Sequence, residues 1–254
     1  MKRTQAHRPL IFAHRGACRV APENTLPAFQ AAIELGADGV ELDVQYSSDG
    51  GLVVFHNPNL EATSNGKGRV TAHTLEELRR LDAGSWFDAR FAGTRIPILD
   101  EVLELLRGKL LVNIELKALD PATSTLGADV VKAVRAHDMA DQVVISSFNP
   151  FALRRAKLAG PEIEAALLLA PDLPSWTRWG ITRRFSRADG LHPELRMVDE
   201  AYVTRAHKAG LAVRVWTVNE EEEMRRMFTL GVDGIITDLP DRAVALRAKL
   251  QGEA

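Results

Sequence analysis

Along the chain, short β-branched and aliphatic runs alternate with longer stretches of helical periodicity, from Leu10-Ile11-Phe12-Ala13 near the start to Gly234-Ile235-Ile236-Thr237 near the end. Strand and helix alternating in this way is the signature of parallel strands joined by helical crossovers. The runs predict strands at 9–14, 39–45, 110–117, 142–147, 164–170, 188–192, 211–218 and 233–237. Helices fit at 25–35, 98–107, 124–137, 150–159, 199–208, 220–229 and 240–250. Eight strands in this rhythm predict an α/β fold, a closed (β/α)8 TIM barrel. Helix starts are marked by Asn149-Pro150, a cap followed by proline, and by Asn219 ahead of Glu220 to Glu223, with Arg225 and Arg226 later to complement the dipole. Gly36, Gly160, Gly210 and Gly231 stand where helices end.

One connection breaks the rhythm. After the second barrel strand, Asp49-Gly50-Gly51 turns into a hairpin strand, Leu52 to His56, and residues 57–97 then show no clear periodicity. Irregular connections longer than about 12–15 residues usually carry function or a small fold of their own. With Trp86, Phe87 and Phe91 and turns at Asn65-Gly66 and Lys67-Gly68, 57–97 is expected to form a small cap inserted in a single domain spanning 1–254. The segment 171–187, with Trp176 and Trp179, is expected to be a second lid element.

Composition narrows the function. An apolar content of 46% in 254 residues can fill one large core. A net charge of −2, from 32 basic and 34 acidic residues, supplies no global positive field for nucleic acid. The single cysteine, Cys18, cannot form an intramolecular disulfide, and it is expected to pack without a redox role. No stretch approaches the roughly 18–20 apolar residues that span a bilayer, so no stable membrane insertion is expected, and the protein is read as soluble and cytoplasmic. Oligomeric state is not legible.

The chemistry begins inside an apolar run. In Gly39-Val40-Glu41-Leu42-Asp43-Val44, alternation turns Val40, Leu42 and Val44 to one face and Glu41 and Asp43 to the other. Those two acids are then about 6.6 Å apart along the strand. Burying unpaired carboxylates costs several kcal/mol, so they call for a cation, a basic partner or an unusual protonation state. A hard divalent ion answers both acids at once. Barrel enzymes place their chemistry at the C-terminal ends of the strands, and several residues meet that test together. His14 and Arg15 end the first strand, Glu41 and Asp43 lie late in the second, and Glu115 and Lys117 close the third. His192 follows the sixth, and Trp216 ends the seventh. His7, His73, His137 and His207 are expected to be surface histidines.

The ordered set of motifs resembles the glycerophosphodiester phosphodiesterase family. It comprises Ala13-His14-Arg15-Gly16, Pro22-Glu23-Asn24-Thr25, Gly39 to Val44, Val54-Phe55-His56, Ile96 to Val102, Asn113-Ile114-Glu115-Leu116-Lys117, Val215 to Asn219 and Gly231 to Pro240. The resemblance implies a metal-dependent hydrolysis of small-molecule glycerophosphodiesters, such as glycerophosphocholine or glycerophosphoethanolamine, to glycerol 3-phosphate and an alcohol. It implies Glu41, Asp43 and Glu115 as ligands of one divalent cation, Ca2+ or Mg2+, and His14 and His56 as the acid–base pair. Arg15 and Lys117 then contact phosphate, while His192 and Trp216 line the substrate pocket. His14 is expected to act as base and His56 as acid, by a direct water route or through a cyclic phosphate; the motifs fix neither. Where many members follow the second histidine with aspartate, this chain has Asn57. Two other functions compete: a related lipid-directed phosphotransferase or phospholipase, and a binding module that has lost turnover.

Overall fold

The computed structural model describes residues 8–118, 125–173 and 181–252. The chain runs β1 (Leu10–His14), α1 (Leu26–Glu34), β2 (Gly39–Tyr46), β3 (Leu52–Val54), α2 (Leu75–Arg79), α3 (Leu99–Leu106), β4 (Leu111–Leu116), α4 (Leu126–Ala136) and β5 (Val143–Ser147). It continues through α5 (Pro150–Ala159), β6 (Glu164–Leu169), α6 (Ile181–Ser186), β7 (Gly190–Pro193), α7 (Glu200–Lys208), β8 (Ala212–Val215), α8 (Glu221–Leu230), β9 (Gly234–Thr237) and α9 (Pro240–Gly252). All strands but β3 are parallel to their neighbours, and β1 pairs with both β9 and β2, which closes an eight-stranded barrel. β3 is the antiparallel arm of the hairpin, with Val44 opposite Val54.

Alternation along the strands explains the core. Val40, Leu42 and Val44 of β2 and Val112, Ile114 and Leu116 of β4 pack in one apolar cluster with Phe29 of α1 and Leu99, Leu103 and Leu106 of α3. The intervening residues turn into the barrel. At its lower end Arg247 of α9 bonds Pro9 O at 2.8 Å and pairs with Asp38, fastening the last helix beneath the first strand.

Residues 57–97 contain α2 and single turns of 3-10 helix at Leu60–Ala62, Val70–Ala72 and Ala89–Phe91. Their apolar cluster is small: Leu60, Val70, Leu78, Ala83 and Ile96 gather around Val53 and Phe55. Much of the backbone here is satisfied by side chains instead of by a ladder. Asp82 accepts from the backbone N–H groups of Gly84, Ser85 and Gly93, and Asn65 Oδ1 accepts from Asp82 N. The aromatics expected to fill the cap form an edge-on series, with Trp86 to Phe87 and Phe87 to Phe91 each at 5.7 Å, and Trp86 remains exposed.

Of the expected second lid, Trp176 and Trp179 lie outside the described residues. Residues 181–186 form α6, a crossover helix held on α5 by the ring pair Phe151–Phe185 at 4.9 Å and by Arg154 Nη1 donating to Phe185 O at 2.8 Å. Two of the expected surface histidines are half-buried and paired: His137 with Asp100 at 2.9 Å and His207 with Asp233 at 2.8 Å. His73 is also half-buried, its Nε2 2.9 Å from Lys67 O, and His7 lies outside the described residues.

Candidate active site

The turn after β1 builds the first wall of the mouth. Arg15 adopts a left-handed backbone, φ 56°, and Gly16 follows at φ 80°. A Cβ on Gly16 would lie 2.8 Å from Ala28, so the tight approach of this turn to α1 requires glycine. The reversal aims Arg15 N–H at Glu41 Oε2, 3.1 Å away. The Pro22-Glu23-Asn24-Thr25 stretch then supports the site residue by residue. Glu23 accepts from Arg15 Nη1 at 3.0 Å, Asn24 donates to Asp43 Oδ2 at 2.8 Å, and Thr25 caps α1. No local pattern in the sequence assigns Glu23 or Asn24 these partners.

Register brings the acids together. Asp43 of β2 lies opposite Glu115 of β4, and Glu41 lies opposite His14 of β1. Ligand oxygens of Glu41, Asp43 and Glu115 all lie within 4.8 Å of one another. Lys117 Nζ stands 2.9 Å from Asp43 Oδ1 and 2.6 Å from Glu115 Oε1, and Arg15 Nε stands 3.7 Å from Asp43 Oδ2. Burial, followed by the charge of Asp43, pushes the Glu41 carboxyl above its usual range, and burial does the same to Glu115. At Asp43 burial is outweighed by Lys117, His56 and Arg15, which hold it ionised. Burial would lower Lys117, but Asp43 and Glu115 keep it firmly charged. Three converging, largely buried carboxylates against two basic side chains leave negative charge uncompensated. An all-oxygen set of this kind fits a hard divalent cation.

The two histidines flank this cluster on different supports. His14 Nδ1 lies 2.7 Å from Asp238 Oδ1, while Nε2 is 4.0 Å from Glu41 Oε2. Asp238 is fixed in turn by Asn219, which donates to its Oδ2 at 2.9 Å and accepts from its backbone N–H at 2.9 Å. Burial works against ionisation of Asp238, yet the bonds from His14 and Asn219 hold it below the usual carboxylate range. An ionised carboxylate only accepts, so His14 Nδ1 carries the proton of this bond. Burial depresses His14, but the bond to Asp238 and the charge of Glu41 overcome it and raise its pKa. His56 follows β3, its backbone clamped where Gln45 Nε2 donates to the carbonyls of Phe55 at 2.7 Å and Asn57 at 3.0 Å. Among the described residues, its Nδ1 meets only the Asn57 amide oxygen, at 3.2 Å. Burial, with Lys117 and Arg15 nearby, lowers His56 to about 4 despite the opposing charge of Asp43.

Asp238 is a site residue that the sequence analysis leaves unassigned, although its position after the last barrel strand satisfies the same rule that picks out the others. Asn219 departs from expectation as well: Glu220 is the N-cap of α8, and the Asn219 side chain turns to Asp238 instead. The mouth opens into a cavity of about 420 Å3 lined by His14, Arg15, Cys18, Arg19, Glu23, Trp86, Phe87 and Asp238. Trp216 is half-buried at the rim, edge-on to Phe148 at 5.6 Å, its Nε1 donating to His192 O at 2.7 Å. His192 itself is completely buried, and neither ring nitrogen has a hydrogen-bond partner among the described residues. Burial, then Arg214, holds its pKa well below the ordinary value. The imidazole is neutral and enclosed because the register of β7 with β8 sets His192 level with Arg214, one layer below Trp216 on the same face of the sheet.

Comparison with known proteins gives a consistent answer. A sequence profile of the Glycerophosphoryl diester phosphodiesterase family matches residues 14–242. A glycerophosphodiester phosphodiesterase of Caldanaerobacter subterraneus subsp. tengcongensis is 43% identical over 241 residues, covering 94% of this chain and 98% of the relative. The crystal structure of a glycerophosphodiester phosphodiesterase from Agrobacterium tumefaciens superposes with a TM-score of 0.80 at 35% identity, covering 93% of this chain and 99% of that one. An Oleispira antarctica phosphodiesterase, solved in complex with the product sn-glycerol-3-phosphate, superposes with a TM-score of 0.81 at 31% identity, covering 94% and 96%. With the family profile spanning the residues of the mouth and the fold matched around them, this chain belongs to the glycerophosphoryl diester phosphodiesterase family of enzymes.

Proposed function

We propose that this chain hydrolyses glycerophosphodiesters to glycerol 3-phosphate and an alcohol, using one divalent cation and a two-histidine acid–base mechanism. The observation that carries this reading is the convergence of Glu41, Asp43 and Glu115 beside Lys117, Arg15 and the His14–Asp238 pair. The product held by the Oleispira antarctica relative supports the substrate class.

Glu41, Asp43 and Glu115 would hold Ca2+ or Mg2+, which when bound supplies positive charge to the non-bridging oxygens of the diester. Arg15 and Lys117 add N–H donors and charge to the same oxygens, and Glu23, Asp43 and Glu115 keep both side chains extended across the mouth. Formal charge then balances: three carboxylates, a divalent ion and two basic side chains sum to +1, and a singly charged diester makes the loaded site neutral.

His14 is the base. With its Nδ1–H donating to Asp238, the lone pair sits on Nε2, on the side of Glu41, and Asp238 stabilises the imidazolium once Nε2 has taken a proton from the attacking hydroxyl or water. His56 is the acid. Its low pKa reflects a dry site beside Lys117 and Arg15, and the arriving phosphate anion offsets their charge and draws the proton onto the ring. It then passes to the leaving oxygen.

Phosphorus NMR across a panel of glycerophosphodiesters, after chelation and again after adding back Ca2+ or Mg2+, tests the whole reading. Expected is glycerol 3-phosphate that appears only with metal, with or without a transient cyclic phosphate signal that identifies the route. Turnover of no glycerophosphodiester with either ion would overturn it.

A further inference from the structure

We propose that His14, Cys18 and Asp238 form a second metal site, suited to a thiophilic divalent cation such as Zn2+, and that filling it switches hydrolysis off. Ligand atoms of these three side chains all lie within 4.8 Å of one another, and all three residues line the cavity at the mouth. Their positions are set by the fold. β1 and β9 are hydrogen-bonded neighbours, with Ala13 opposite Thr237, so His14 and Asp238 leave the barrel side by side. Cys18 is returned beside them by the tight turn at Gly16, where Cys18 N bonds Gly16 O at 2.9 Å. Asn219 steadies the carboxylate from behind, the kind of outer contact that orients a metal ligand.

The donor set separates this site from the oxygen-only one. Nitrogen, sulfur and carboxylate oxygen are the ligand types of zinc, and three protein ligands facing a cavity leave a fourth position for water. Glu41, Asp43 and Glu115 present only hard oxygens. The His14 ring stands between the two sets, Nδ1 toward Asp238 and Nε2 toward Glu41. Arg19, whose guanidinium is 3.2 Å from Asp238 Oδ2, is largely exposed to solvent.

Occupation has a defined consequence for protons. The thiol of Cys18 gives its proton to solvent as the thiolate binds, and a neutral imidazole coordinated through Nδ1 must carry its one N–H on Nε2. The lone pair that serves as base is then gone. This blockade rests on the base role proposed for His14, whereas the binding of the ion does not.

The test uses the full chain with saturating Mg2+, titrated with Cd2+, whose bond to a thiolate gives a near-ultraviolet charge-transfer band. Expected is a band that saturates at one ion per chain, is displaced by Zn2+, vanishes in Cys18→Ser and weakens about tenfold or more in affinity in Asp238→Asn. Zn2+ should inhibit glycerophosphocholine hydrolysis over the same concentration range. Cys18→Ser, measured against its own rate without Zn2+, should need about tenfold or more Zn2+ for the same fractional inhibition. Absence of the band, a band unchanged in Asp238→Asn, or equal Zn2+ inhibition of Cys18→Ser would overturn the site. A stoichiometric band with turnover untouched would overturn the blockade and count against His14 as base.

Discussion

His14 and His56 reach the same mouth from regions built on different physics. His14 ends a strand bonded on both sides, to β2 and β9, above a cluster that joins strands and crossover helices. His56 follows a three-residue edge strand, where the chain leaves the barrel for a segment with a small apolar cluster and many side chain to backbone bonds. The difference is electrostatic as well as mechanical. Burial depresses both rings; the carboxylate that the barrel holds beside His14 overcomes it and its pKa rises, whereas at His56 burial, with Lys117 and Arg15 nearby, outweighs what its neighbours return and the pKa falls to about 4. A base profits from the first setting and a readily released proton from the second. One site thus draws opposite properties from one residue type.

Removing either ring is the largest perturbation. His14→Ala and His56→Ala should each lower kcat by about 10²- to 10⁴-fold, the usual contribution of general acid or base catalysis. Both residues lie at the rim, so thermal unfolding should shift little. Near-normal turnover in both variants would show that protons move by another route.

Asp238→Asn attacks the barrel side alone. An amide can accept the Nδ1 hydrogen bond but supplies no charge, and it can also flip to favour the wrong tautomer, so a loss of about 10²-fold or more is expected, within the range of general base catalysis. The pH profile gives the sign. A base must be unprotonated and an acid protonated, and in the free enzyme His56 lies at about 4 and His14 above 6.5, so in kcat/KM the acid limb reports His56 and the alkaline limb reports His14. Without the Asp238 charge the alkaline limb should move to lower pH while the plateau falls. A limb that stays in place would mean that the pair does not set the base.

Leu78→Ala attacks the other region. Leu78 is completely buried in the small cluster of residues 57–97, and its truncation should cost about 2–4 kcal/mol. Amide exchange should quicken across 57–97 and in the backbone around His56, with the barrel strands keeping their protection. Uniform acceleration throughout the chain would instead make the two regions one cooperative unit.

The same contrast decided what could be read from the sequence. Barrel strands and crossovers follow periodicity, so α5 matches its expected span and α3 differs by a residue at each end. Glu41, Asp43 and Glu115 were legible because acids that alternate with valine and leucine can share only one face of a strand. The support for His14 was not, because Asp238 is 224 residues away and meets it only when the barrel closes. Asn219 shows how local signals mislead: ahead of a run of glutamates it has the form of a cap, yet its amide is spent on Asp238. Residues 57–97 gave no pattern because Asp82 and Asn65 do there what strand ladders do elsewhere, and such contacts have no period.

The smallest change expected is the most direct probe of the asymmetry between the histidines. Asn57→Asp places a carboxylate where the amide oxygen now stands, 3.2 Å from His56 Nδ1. Burial is the main cause of the low His56 pKa, and the new charge opposes it, so the pKa should rise from about 4 toward neutrality. An acid must be protonated, and while the pKa of His56 is the lower of the two it sets the acid limb of the pH–rate profile, so a higher pKa moves that limb upward and increases the competent fraction at neutral pH. Plateau turnover should change by less than about tenfold, because a weaker acid gives its proton less readily and part of the gain is returned. In the Asp238→Asn background the two limbs should shift in opposite directions, which no uniform change in the field of the mouth can produce. An acid limb unmoved by Asn57→Asp would remove His56 from the acid's position and leave the barrel histidine to serve both steps.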